Sequence, residues 1–138
     1  MRTTILWTGS TTELKLYSDK ADLFRLYNSP VARSELVTRP LDPVTPAQVS
    51  DALGGLQHAV VATLTDGRRF LVVKGNQKGE GSETIVILAD HMTDDWTKVT
   101  TKDVSQSTLL DLVNAGGKGF NIMADNGRDA ASRMMRLP

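Results

Sequence analysis

The sequence predicts an α+β fold in which an antiparallel β-meander packs against helices. Three short segments rich in β-branched residues, 57–64, 69–74 and 83–89, follow one another with only polar turns or loops between them. Helical patterns flank this group and end at glycine pairs or at proline. Neighbouring strands joined by short connections pair antiparallel, and helices segregated from such a sheet define the α+β class.

The composition is that of one globular domain. The chain has 138 residues, of which 40% are hydrophobic and 23% are charged, and its 16 basic residues balance its 16 acidic ones. A net charge of zero gives no general attraction to nucleic acid or to an anionic membrane. No apolar run approaches the roughly 18 residues that span a bilayer. The absence of cysteine excludes disulfides, thiolate metal sites and thiol catalysis for the chain as it stands.

We expect a single domain over 1–138, with a helical and extended N-terminal part (about 1–45) and a core (about 46–138). Short extended segments are expected at 5–7 and 14–17, and a helix begins near Asp19 and ends before Pro30. The segment 38–46 holds three of the five prolines and predicts an extended connector. Thr45 and Pro46 then begin a helix that Gly54 and Gly55 end.

The elements of the core follow from turn and cap signals. Thr65-Asp66-Gly67 predicts a hairpin between the first two strands, and 75–81 (GNQKGEG) predicts a polar loop before the third. Ser107 or Ser105 is expected to cap a short helix that ends at Gly116-Gly117. A final helix with Ala130, Ala131, Met134 and Met135 on one side is expected to begin after Asp125 or Asn126.

The two histidines are the first candidates for chemistry. His58 opens the first strand of the meander, a position suited to a general base at a sheet rim but also to a histidine bonded to a backbone carbonyl. His91 lies in DHMTDDW, yet this spacing fits no metal-site mechanism and Asp clusters commonly cap turns. We therefore predict neither a metal nor a cofactor.

The other polar motifs favour structure over binding. The glycine-spaced loop 75–81 leads into a strand, so it lacks the helix N-terminus of a phosphate-binding loop. Three arginines of the last helix do not form a single stripe, and a solvated face is the better interpretation. Neither nucleic acid nor a membrane is predicted as a partner.

One segment is not explained by local propensity. Residues 120–123 (FNIM) lead through Asp125 and Asn126 to Gly127 in the first turn of the last helix. Glycine costs about 1 kcal/mol relative to alanine in a helix. The first turn is also where the helix dipole stabilises an anion such as a catalytic thiolate.

These residues resemble the nucleophile motif of the circularly permuted papain-like (NlpC/P60-like) cysteine hydrolase superfamily. In that motif an aromatic-Asn-hydrophobic stretch precedes Asn-Cys at the start of a helix, and here Gly127 occupies the cysteine position. The segment 57–61 (QHAVV), followed by Asp66-Gly67 and 70–73 (FLVV), resembles the element that carries the catalytic histidine. Together the two elements cover about 56–136, a little over half of the chain.

The resemblance implies a permuted papain-like fold with His58 as the base and position 127 as the nucleophile. It implies a polar residue that orients the histidine, for which Asn76 and Gln77 are candidates and Asp90 or His91 are alternatives. The implied activity is that of a cysteine protease or amide hydrolase. Such a domain would be a bacterial toxin or effector, secreted or delivered, that acts in the cytoplasm of the target cell. A protein or peptide substrate and a cognate immunity protein would be its partners.

Because Gly127 has no side chain, the chain as written is inactive in such chemistry. Either it is an engineered Cys→Gly form of a harmful enzyme, or it is a natural pseudoenzyme or binding module on the same fold. A third hypothesis is an immunity or adaptor protein of unrelated fold, in which His58 and Gly127 are not neighbours.

Overall fold

A computed structural model describes residues 4–6, 25–40, 55–74, 84–117 and 127–138. These residues form an α+β fold, as predicted, built on a six-stranded sheet in the order β1-β5-β4-β3-β2-β6. The strands are β1 (Thr4–Leu6), β2 (Val31–Pro40), β3 (Leu56–Leu64), β4 (Arg69–Lys74), β5 (Thr84–Leu88) and β6 (Thr97–Asp103). Two helices, α1 (Leu109–Gly116) and α2 (Gly127–Met135), follow the last strand.

The predicted meander is confirmed as β3, β4 and β5, which pair antiparallel in that order. The turn between β3 and β4 contains Gly67 at φ 93°, a left-handed conformation that glycine adopts without strain. Asp66 Oδ1 accepts a hydrogen bond from the backbone N–H of Arg68 at 3.0 Å and tightens the turn. β1 adds to the outer side of β5 in a parallel pairing.

Two strands, β2 and β6, were not predicted. β2 pairs antiparallel with both β3 and β6, so it is an interior strand of the sheet. Residues 38–40, the start of the predicted connector, are the end of this strand and pair with residues 56–58 of β3. A register irregularity between Val31 and Arg33 interrupts the alternation of β2, while β6 is an edge strand with almost every residue exposed.

The N-terminal part is described only in places. Residues 25–27 are helical and Ser29 Oγ donates to the Arg25 carbonyl at 2.8 Å, in keeping with a helix that ends before Pro30. The predicted segment 14–17, most of the helix after Thr45, and the loop 75–81 lie outside the described residues.

Helix α1 begins differently from the expectation. Its cap is Thr108, whose side chain accepts from the Asp111 N–H while the Asp111 carboxylate accepts from the Thr108 N–H, a capping box. The prediction of Ser107 or Ser105 as the cap is wrong, because the Ser107 hydroxyl instead donates to the Pro138 carbonyl at 2.8 Å. The predicted end of the helix is confirmed, with Gly117 as the C-cap.

The sheet is packed on both faces. On the first face, β-strand side chains pack with α1 and α2 in the main core, whose largest buried members include Leu64, Phe70, Leu109, Leu112 and Met134. On the opposite face, the residues between β5 and β6 cross the strands, and Met92 and Trp96 pack on a smaller cluster. That cluster consists of Val37, Ala59, Val61, Leu71 and Val73. We call these the helix face and the crossing face.

The end of α1 is fixed against both β5 and α2. Arg133 of α2 donates through Nε to the Ala115 carbonyl at 2.6 Å and through a terminal nitrogen to the Gly116 carbonyl at 3.0 Å. Thr84 Oγ1 donates to the Gly117 carbonyl at 2.9 Å. These bonds satisfy carbonyls that the last turn of a helix leaves unpaired, and they hold the two helices together on the helix face.

Candidate active site

His58 lies near the start of β3 with its side chain on the helix face. Side chains alternate along a strand, and Val60, Ala62 and Leu64 of the same strand belong to the main core under the helices. The imidazole is half-buried, in contrast to the fully buried residues that follow it. It therefore lies at the rim of the helix-covered core, where a base can be reached by both solvent and a ligand.

The helix α2 packs on β3, the strand that carries this imidazole. α2 begins at Gly127, which is buried, and Arg128 follows it as an exposed residue. The guanidinium of Arg128 is close enough to His58 for its charge to affect the imidazole. The predicted base is therefore on a strand that contacts the helix with the predicted nucleophile position in its first turn.

The electrostatic environment keeps His58 neutral. Burial lowers the pKa of the imidazole below its usual 6.5, and the positive charge of Arg128 lowers it further, while a contact with the Leu56 backbone acts in the opposite direction. The imidazole is consequently in its unprotonated form at pH 7, the form that accepts a proton from a nucleophile.

One nitrogen of this imidazole has no hydrogen-bond partner. His58 Nδ1 is buried and makes no hydrogen bond of ordinary length and angle with any of the described residues. The Leu56 backbone, which acts on the pKa of His58, is therefore a weaker contact. A buried donor or acceptor without a partner costs about 1–3 kcal/mol, so such atoms are uncommon in folded proteins. The site thus contains a base whose second nitrogen is not held by the part of the chain that the structure describes.

The candidates for that partner are only partly described. Asn76 and Gln77 lie outside the described residues. Asp90 and His91 form a short 3-10 turn directly after β5. The last residue of β5 pairs with Phe70 of β4, which in turn pairs with Ala62 of β3. The turn is therefore near the end of β3 that is distant from His58. The connection that carries them then packs on the crossing face. The register therefore separates Asp90 and His91 from the imidazole.

A polar cluster on the crossing face fixes the strands that carry the site. Arg39 Nε donates to Gln57 Oε1 at 2.7 Å, and these two residues are direct partners in the β2–β3 pairing, one position away from His58. The same guanidinium stacks over Trp96 with 4.8 Å to the ring centroid and donates to Thr93 Oγ1 at 3.0 Å. Arg39 thus ties β2, β3 and the crossing connection together behind the histidine.

Other ligand chemistry finds no support among the described residues. No group of three or more His, Asp or Glu side chains in that part of the chain is arranged to hold a metal ion. None of the described helices has the length and apolar character needed to cross a membrane.

Two arginines of α2 have roles that the sequence did not indicate. Arg133 was expected on a solvated face, and that interpretation is wrong because its guanidinium binds two carbonyls of α1. Arg128 is exposed, as expected, but it also affects His58. A cation in the first turn opposes the helix dipole, so helix stability does not explain Arg128, and this was the available sequence signal at that position.

No protein-family model matches the chain, and neither a curated protein nor a solved structure matches it.

Proposed function

We propose that this chain is the inactive form of a papain-like thiol hydrolase domain that acts on amide bonds of a protein substrate. The observation that carries the proposal is that α2 packs on the strand of His58, and that Arg128, next to Gly127 in the nucleophile position, acts electrostatically on the imidazole. The order of these elements along the chain, with the histidine on a strand that precedes the helix of position 127, is the order that the resemblance implies.

The chemistry of the form with a cysteine at position 127 follows from this arrangement. The Sγ atom attacks the carbonyl carbon of the substrate amide while the neutral His58 takes the thiol proton. When the tetrahedral intermediate collapses, the C–N bond breaks and His58 returns the proton to the leaving amine. Water then hydrolyses the thioester, with His58 again acting as the base.

The location favours a thiolate. The free N–H groups and the dipole at the start of α2 stabilise a negative charge at position 127, and the neighbouring Arg128 adds a full positive charge. The backbone N–H of residue 127 is a suitable donor to the oxyanion. A helical backbone conformation accepts any L-residue, so a cysteine requires no change of chain direction there.

The test is the Gly127→Cys variant, with Ser132→Cys as its matched control. Ser132 lies in the same helix, but it is exposed and beyond the first turn. The pH dependence of alkylation should give a thiol pKa well below about 8.5 at position 127 and an ordinary value at position 132. Only the former variant should hydrolyse amide substrates, and His58→Ala should abolish that activity.

The outcomes separate the two readings of Gly127. Hydrolysis by Gly127→Cys that depends on His58 supports an enzyme disabled at its nucleophile. An ordinary thiol pKa together with no hydrolysis contradicts the proposal. A lowered thiol pKa without hydrolysis of any peptide or protein amide favours a binding module that holds a peptide at this site without cleaving it.

The biological setting we propose is that of a bacterial toxin or effector delivered into a target cell and neutralised by a cognate immunity protein. This setting is supported by the resemblance, and by the idea that an active-site cysteine would be removed because the active enzyme harms the cell that produces it. Growth of a bacterial host should slow when Gly127→Cys is expressed, and the double variant with His58→Ala should restore growth.

A further inference from the structure

The unpartnered Nδ1 of His58 raises the question of what orients the imidazole. In a cysteine hydrolase the base accepts the thiol proton at one nitrogen, and the second nitrogen must then carry a hydrogen and donate it to an acceptor. Nδ1 of His58 is buried and has no such bond with the described residues. Its nearest neighbours across the strands are therefore the place to look for the acceptor.

Thr38 is the direct neighbour of His58 on β2. The two residues are partners in the antiparallel register, so their side chains leave the sheet on the same face, the helix face. Directly opposite residues have Cβ atoms about 4.5–5.5 Å apart, a separation that a threonine hydroxyl and an imidazole nitrogen can bridge. Thr38 is 9% exposed, so its hydroxyl lies in the same protected environment as Nδ1.

We propose that Thr38 is a positioning residue whose hydroxyl accepts a hydrogen bond from His58 Nδ1–H and leaves Nε2 free to act as the base. Rotation of the threonine about its Cα–Cβ bond moves Oγ1 among three staggered positions without moving the backbone, and the proposed bond uses the position that faces the imidazole. In this bond the Thr38 hydroxyl is the acceptor, so the bond favours the neutral tautomer in which Nδ1 carries the hydrogen. The catalytic meaning of this role rests on the proposed function, whereas the hydrogen bond itself does not.

Arg39 supports this assignment from the crossing face. The residue after Thr38 bonds to the residue before His58, Gln57, and the pair is held by Trp96 and Thr93. The β2–β3 pairing is therefore fixed at the position where the threonine and the histidine meet. A fixed pairing is the condition under which a short side chain such as threonine can define the orientation of its neighbour.

The first experiment uses the chain as it is, with Gly127, and so does not depend on activity. The ¹⁵N chemical shifts of His58 in the neutral form report which ring nitrogen carries the hydrogen. We expect Nδ1–H in the unmodified chain and in Thr38→Ser, which retains the hydroxyl, and a mixture of tautomers in the isosteric Thr38→Val. Thr97→Val makes the same change on the exposed strand β6, which pairs with β2 on the side away from His58. This control should leave the tautomer unchanged.

The second experiment repeats these substitutions in the Gly127→Cys background. Loss of one hydrogen bond of about 1 kcal/mol predicts a roughly five- to tenfold lower kcat in Thr38→Val, with KM little changed and with recovery in Thr38→Ser. The pH profile of the rate should move with the substitution, which a purely structural role for Thr38 would not produce.

The outcomes distinguish this inference from the proposed function. An unchanged His58 tautomer in a folded Thr38→Val variant overturns the role of Thr38 and assigns Nδ1 to another acceptor, such as the Leu56 carbonyl or the Asn76 and Gln77 side chains. A tautomer change with an inactive Gly127→Cys supports the hydrogen bond and contradicts the hydrolase proposal. Circular dichroism of each variant identifies any that fail to fold, and Thr38→Ala then replaces Thr38→Val.

Discussion

Arg128 stands in the first turn of α2 and lowers the pKa of His58, which belongs to a strand far away in the sequence. Both residues are basic, so their proximity disfavours protonation of the imidazole. The arrangement is unfavourable for a helix, since a cation there opposes the dipole. It is favourable for a site that needs a neutral base beside a stabilised anion.

The stability of the fold should fall as the pH decreases below about 6.5. The pKa of His58 is lowered in the folded state. Between the pKa of the folded state and the usual 6.5, the unfolded chain therefore binds more protons than the folded chain does. The free energy of unfolding therefore rises with pH in this window, and the contribution of His58 is constant above it. Urea unfolding measured from pH 5 to pH 8 checks this dependence, which should be weaker in His58→Gln.

Arg128→Gln should move the titration of His58 upward, toward its usual range. Arg128 is the charged group that lowers the pKa of His58, in addition to the effect of burial. Arg136→Gln removes the same charge just beyond the other end of α2 and is the matched control. Equal titration curves for the two variants by ¹H NMR would contradict the assignment of Arg128 as a neighbour of the histidine.

Gly116→Ala should destabilise the protein by about 1–3 kcal/mol, the usual cost of overpacking a core. A Cβ at this position would lie 2.3 Å from Thr84 Oγ1 and 2.8 Å from Met134 Cε, so the end of α1 would have to move away from β5. The double variant with Thr84→Ala removes both clashing atoms of Thr84. Its free energy of unfolding should exceed the value expected from adding the two single effects, and simple additivity would show that the clash is not the cause.

Arg39→Ala should cost about 1–2 kcal/mol of stability. The substitution leaves the buried amide of Gln57 without its charged partner and removes the stacking over Trp96. Arg39→Lys should recover less than half of the loss, since an ammonium lacks the planar fork that reaches Gln57 and Thr93 together.

Arg68→Ala is the control for Arg39→Ala, because the ion pair of Arg68 with Asp66 is exposed and should contribute less than about 1 kcal/mol.

Ser34→Ala should leave the free energy of unfolding unchanged or raise it by up to about 1 kcal/mol. The Ser34 hydroxyl is buried on β2 and has no hydrogen-bond partner among the described residues, so its removal relieves an unmet desolvation cost. Ser107→Ala is the matched comparison, since that hydroxyl is buried and donates to the Pro138 carbonyl. It should destabilise by about 1 kcal/mol. Equal losses in both variants would indicate that Ser34 has a partner after all.

The parts of the fold that could be predicted are those where local signals and tertiary packing agree. β3 and β4 are short runs of β-branched residues joined at Gly67, and both are buried in the sheet. The strand β2 escaped prediction because it carries the polar residues Ser34 and Thr38 on the helix face and has an irregular register. β6 escaped because an exposed edge strand needs no alternation of apolar and polar residues.

The candidate site could be predicted in part. The placement of His58 at a strand start and of Gly127 in the first helical turn follows from the sequence, because turns and helix starts have local signatures. The positions of Thr38 and Arg128 relative to the imidazole depend on strand register and helix packing. Those relations join distant parts of the chain and leave no local pattern.

The order of strands in the sheet also determines how the molecule must assemble. β3, β4 and β5 are able to pair as soon as their turns close, but β6 contacts the sheet through β2, and β1 pairs with β5 from the opposite end of the chain. Loop-closure entropy opposes such distant pairings until the centre has formed. The meander is therefore the part expected to form first, and the pairing of Thr38 with His58 comes later, when β2 joins β3. The candidate site also needs α2, whose packing on β3 joins distant parts of the chain, so it would be among the last features to appear as the chain folds.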